Sequence, residues 1–69
     1  MIEVFKTNVQ EIEQSKIIVI KLLEHFPDSN INFDLEDCDK ILRVHALTIS
    51  HSKIIDLLDS YGYKCEVLL

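Results

Sequence analysis

The 69 residues hold one glycine, one proline, one alanine, one arginine and no tryptophan, and two cysteines are the whole supply of thiols. So little Gly and Pro excludes collagen-like, low-complexity and Gly/Pro-rich disordered chains. With Arg43 as the single arginine, and twelve acidic residues against seven basic ones, the formal net charge is -5. Nucleic acid and anionic membrane surfaces are therefore unfavourable partners, because both are bound by clustered Lys and Arg. No apolar run approaches the ~18 residues of a membrane span; the longest is Ile17-Ile18-Val19-Ile20. Met1 to Lys6 lacks a basic region followed by an apolar stretch and a small-residue cleavage site, so a cytoplasmic chain with reduced thiols is expected. There is no glycine-rich phosphate loop and no nucleophile with a base at a recognisable spacing, so no enzyme and no cofactor is expected.

What the chain does have is branched aliphatics. Ten Ile, nine Leu and five Val dominate an apolar fraction of 48%, against 28% charged residues. That suffices for a single hydrophobic core, and residues 1–69 are read as a single domain. Net stability of a few kcal/mol is expected at this size.

Ile2 to Thr7 is rich in β-formers and reads as a first strand, with two open registers: Ile2 and Val4 inward with Phe5 outward, or Phe5 inward. Asn8 with Glu11 three residues on resembles a capping box, and a helix follows. Helical spacing sets Ile12, Ser15, Lys16, Val19, Leu22, Leu23 and Phe26 on one face, opposite Gln14, Lys21, Glu24 and His25. Pro27 ends that helix. Asn30 to Glu36 alternates polar and apolar, the pattern of a half-buried strand, which predicts Phe33 buried against the helices. Asp37-Cys38-Asp39 reads as a turn, and Lys40 to Leu47 as a third strand with Leu42, Val44 and Ala46 inward and Ile41, Arg43, His45 and Leu47 outward. Ser50 caps a second helix with apolar positions Ile54, Leu57, Leu58 and Tyr61; Gly62 stops it, and Tyr63 to Leu68 is a last strand. The order is β-α-β-β-α-β. It predicts an α+β ferredoxin-like sandwich: a four-stranded antiparallel sheet with two helices on one face and the other face open.

Three stretches carry a family likeness: Leu23-Glu24-His25-Phe26-Pro27-Asp28, Ile31-Asn32-Phe33-Asp34-Leu35-Glu36, and Ile54 through Tyr63. Together they resemble the apolar-Pro-Gly helix end, the V-x-V-D-L-E-like strand and the I-x-x-A-I-x-x-x-G-Y close of the heavy-metal-associated domains, found as copper chaperones and as modules of metal-pumping ATPases. The resemblance implies a Cu(I) or Zn(II) site in a G-M-x-C-x-x-C loop before the first helix. Counted back from Pro27, its ligand positions fall at Ile12 and Ser15, and its Gly-Met at Val9 and Gln10. Thr7 to Lys16 contains no Cys, His or Met, so a bound transition metal is disfavoured.

Other candidates have plainer readings. Cys38 shares an end of the sandwich with the first loop and is the weak alternative ligand, although an incidental exposed thiol is the simpler assignment. Cys65 is expected to point into the core as a small hydrophobe. His25 and His51 lie at the opposite end, too few for a zinc site; His25 is expected to interact with the carbonyls ending its helix. The acidic run Asp34 to Asp39 lacks the glycine and ligand spacing of a calcium loop. An acylphosphatase-type enzyme would need its arginine in an anion-binding loop, whereas Arg43 falls on a strand. RNA binding would need paired aromatics on the central strands.

The sequence thus predicts a small stand-alone domain similar to the heavy-metal-associated family with a degenerate metal site, acting as a non-catalytic interaction or accessory module. Its partner would be another protein chain, a homodimer being one form, met through Ile41, Arg43, His45 and Leu47 on the open sheet face. The alternative is a metal-binding protein or metallochaperone using Cys38 across a dimer.

Overall fold

The computed structural model describes residues 1–68, within which β1 (Ile2–Thr7), α1 (Ile12–His25), β2 (Asn30–Asp34), β3 (Ile41–His45), α2 (His51–Ser60) and β4 (Cys65–Val67) follow in the expected order. The strands make one antiparallel sheet, ordered β2-β3-β1-β4. Each strand-helix-strand unit skips one place: β3 lies between β1 and β2, and β1 between β3 and β4. That interleaving is the ferredoxin-like α+β sandwich.

Register settles the first strand. Phe5 stands opposite Leu42 on one side and Val67 on the other, while Phe33 faces Leu42 and Ile31 faces Val44. Opposed residues share a sheet face. Phe5, Leu42 and Val44 therefore turn the same way, and each is at most 2% exposed, in one cluster with Ile18 and Leu22 of α1 and Ile54 and Leu58 of α2. Both helices cover that face. Ile2 and Val4 turn outward, and Phe33, on the edge strand β2, is half-buried where full burial was expected.

The entry to α1 differs from the capping-box reading. Its N-cap is Glu11 in an extended conformation, without a side-chain cap, and Asn8 is used elsewhere. The buried face is also turned. Ser15, Ile18 and Leu22 are buried, Val19 and Leu23 are half-buried, and Ile12 is 64% exposed. The cause is the unbroken run Ile17 to Ile20, which offers an aliphatic to the core at almost any rotation, so sheet packing decides. At the other end Phe26 has left the helical region, at φ -132° and ψ 68°, before Pro27, and the helix stops as expected.

Ser50 caps α2 by accepting the Lys53 N–H at 3.4 Å. Gly62, at φ +88°, closes it: the Gly62 N–H donates to Asp59 O and the Tyr63 N–H to Leu58 O, both at 2.9 Å. This is a Schellman turn, whose left-handed residue favours glycine. Ile54 and Leu58 are buried, Leu57 is half-buried, and Tyr61 is exposed.

β3 is shorter than the Lys40 to Leu47 expectation. Ala46 ends the pairing by exchanging hydrogen bonds with Met1, and Leu47 lies beyond it, 91% exposed. Ile41, expected outside, is only 5% exposed although it does not join the main core cluster. It lies on an inner strand flanked by β1 on one side and β2 on the other, with Asp34 of β2 opposite it. Lys6 of β1 reaches towards Asp39, two residues before Ile41, at 3.8 Å.

Candidate functional site

The first loop is sealed. The Thr7 N–H donates to Asp39 O at 3.1 Å, the Thr7 hydroxyl donates to Lys40 O, and the Val9 N–H donates to the Thr7 hydroxyl at 3.2 Å. Asn8 is bound on two sides by Lys64: its N–H donates to Lys64 O at 3.3 Å and its Oδ1 accepts the Lys64 N–H at 2.8 Å. Val9 is fully buried in the core. Thr7, Asn8 and Val9 are thus each tied to the rest of the fold. Of the two positions that the resemblance assigns to ligands, Ile12 is an exposed aliphatic, and Ser15 is buried with its hydroxyl donating to Ile12 O at 2.6 Å.

The turn from Leu35 to Lys40 lies at the same end, as Thr7 and Asp39 require. The Asp39 N–H donates to Asp37 Oδ1 at 2.9 Å and the Lys40 N–H to Asp37 O at 3.0 Å, while Lys40 takes a left-handed φ of 47°. One donor atom each from Asp37, Cys38 and Asp39 fall within 4.8 Å of one another. Cys38 is exposed and Cys65 half-buried; both are free thiols. Cys65 stands opposite Thr7 and packs against the core, so burial first, and the Glu66 charge second, push its thiol up to about 12. A thiol so placed is inert at neutral pH.

The histidines do not converge. His51 Nε2 lies 3.3 Å from Glu3 Oε2, off hydrogen-bond geometry, and the ring meets Phe5 edge-on with centroids 5.8 Å apart. Glu3 is opposite Val44 and so turned to the helix side, a placement that a β-former count does not reveal. His25 is exposed beside Phe26, with ring centroids 6.4 Å apart, and it borders a shallow cleft with Lys53 and Asp56 of α2. Among the described residues it has no side-chain hydrogen bond to the carbonyls ending α1.

On the open face of the sheet, Arg43 donates to Asn32 Oδ1 at 3.1 Å, and His45 is exposed opposite Ile2 and Asn30. The expected surface of Ile41, Arg43, His45 and Leu47 is therefore not continuous: Ile41 is buried and Leu47 has left the sheet. What remains apolar on that face is Ile2, 60% exposed, with Val4 and Leu68.

A separate apolar surface lies between α1 and β2. There an open groove of about 690 Å³ is walled by Ile12, Val19 and Ile20 of the helix and by Ile31, Phe33 and Leu35 along the edge strand and its turn. Lys16, Asp34 and Glu36 rim it. The groove is the part of the helix's aliphatic surplus that the turned α1 leaves outside the core. Sequence reading missed it because Ile12, Val19, Ile31, Phe33 and Leu35 were expected on buried faces and Ile20 was given no face at all, whereas the sheet could not cover so many aliphatics.

No family model matches the chain, and no curated protein and no solved structure shows significant similarity to it. Among the described residues, no helix is long and apolar enough to cross a membrane.

Proposed function

We propose that the chain is a non-catalytic protein-interaction module, similar in plan to the heavy-metal-associated domains, in which the ligand positions of the metal loop are given over to apolar contact. Ile12 carries the reading. It stands where the resemblance would place a thiolate, it is 64% exposed, and it forms one end of the groove between α1 and β2. An aliphatic held in water at a helix start costs solubility, and grooves of this composition are a common means of protein recognition.

The test is a titration of the reduced protein with Cu(I) and with Zn(II) against a competing chelator. Neither metal should bind tightly. Stoichiometric binding that survives Cys38→Ser would overturn the proposal; binding that Cys38→Ser abolishes would replace it with the Cys38-bridged metallochaperone.

A further inference from the structure

The two edges of the sheet are unequal. β4 has three residues with a charge, Glu66, at its centre. β2 has five residues in unbroken register with β3, without proline, lysine or bulge, and its other edge has no strand beside it among the described residues. An unpaired edge presents a row of N–H and C=O groups to any extended chain, and shortness, charged side chains, proline and bulges are the usual means of blocking it. β2 carries a single charge, Asp34 at its last position, and none of the others, and it borders the apolar groove.

We infer that β2 pairs antiparallel with β2 of a second copy about a two-fold axis at Asn32, joining the two sheets into one of eight strands. This deepens, and rests on, the reading of the chain as an interaction module. Centring on Asn32 is the arrangement in which all five strand residues find an opposite number. Ile31 then faces Phe33 of the second copy on the helix side, an aliphatic against an aromatic. On the open side Asp34 faces Asn30 rather than a second carboxylate. The two Asp34 side chains stand about 14 Å apart along the strands, beyond the ~8 Å screening length at physiological salt. A parallel pairing would instead set Asp34 beside Asp34. A stable dimer buries on the order of 1,000 Å², more than a five-residue strand pair supplies. Ile12 and Ile20, 64% and 59% exposed on the helical wall of the groove, are placed to contribute the remainder.

Sedimentation of the whole chain over a wide concentration range tests the pairing. The parent should pass from monomer to dimer, more readily as salt screens the formal -5 on each copy. Asn30 and Asp34 are exposed, so substitutions there leave the core untouched. Asn30→Lys, which sets a cation opposite Asp34 twice per dimer, should tighten association roughly two- to thirtyfold; Asn30→Asp should weaken it, and Asn30→Asp with Asp34→Lys should restore it. Ile20→Lys should weaken it without loss of folding. A parent and an Asn30→Lys variant that both stay monomeric at every concentration would overturn the pairing yet leave the metal-free module standing. A dimer indifferent to charge at residues 30 and 34 would equally overturn it by placing the interface elsewhere. Capture of a basic extended peptide by a monomeric parent, weakened by salt, would assign the edge to a foreign strand instead.

Discussion

Asn8 and Lys64 hold each other by two hydrogen bonds, the side-chain oxygen of Asn8 accepting the Lys64 N–H at 2.8 Å while its own backbone N–H donates at 3.3 Å to the Lys64 carbonyl. The pair ties the loop after β1 to the connection between α2 and β4 across 56 positions of sequence. In a helix-capping role the same asparagine would have influenced α1 alone.

Asn8→Ala should therefore lower global stability by about 1 kcal/mol, the usual worth of such a bond, with helix content unchanged. Denaturant unfolding followed at once by far-UV circular dichroism and by tyrosine fluorescence checks it. A selective loss of helical signal before the main transition would return Asn8 to a capping role.

Phe5 and Phe33 separate the inner strand from the edge. Phe5 is fully buried, so Phe5→Ala should cost about 3 to 5 kcal/mol and unfold much of the population. Phe33→Ala, at a half-buried edge position, should cost clearly less. Equal losses in midpoint at constant slope would show that β2 is packed as a central strand is. Ile41→Lys belongs with Phe5, since its side chain is buried; it should fail by unfolding and so says nothing about association.

The two thiols should differ in reactivity. Cys38 should react with an alkylating reagent in the native state, and Cys65 should react at the rate of unfolding. The Cys65 thiol is raised from 9.0 to about 12 in the folded chain. Its contribution to stability is thus complete below pH 9, where folded and unfolded chains both keep the proton, and is lost as pH rises towards 12 because the unfolded thiol ionises first. Parent and Cys65→Ala should accordingly show different pH slopes of unfolding free energy between 9 and 12, the parent losing stability the faster. Parallel slopes would place the thiol in water.

Gly62→Ala meets no atom within 4 Å, so its cost is conformational alone. At φ +88° that cost should be about 1 to 2 kcal/mol, read as a lower melting temperature with unchanged association. A neutral result would mean that the Schellman turn relaxes.

What the sequence made legible follows from how sharply each residue restricts its neighbours. Pro27, Ser50 and Gly62 each act through a local backbone rule, and each ends or starts its helix as expected. The alternation from Asn30 to Asp34 names a face without ambiguity. Ile17 to Ile20 restricts nothing, because four consecutive aliphatics suit every rotation, so the buried face of α1 was set by the sheet beneath it. Ile41 was misplaced for a different reason: alternation reports which way a side chain points, whereas burial depends on what the neighbouring strands lay over it. The groove between α1 and β2 combines both failures: Ile12 was expected inward and is exposed, Ile20 was given no face, and Ile31, Phe33 and Leu35 pack against the core but are only half covered.

The difference between the two sheet edges also bears on stoichiometry. A strand template that is copied at both ends of a sheet propagates without limit and gives filaments; one that is open on a single side is consumed by its first use. With β4 short and charged, joining through β2 leaves the product no second template, so the particle should stop growing at two chains of 8.0 kDa.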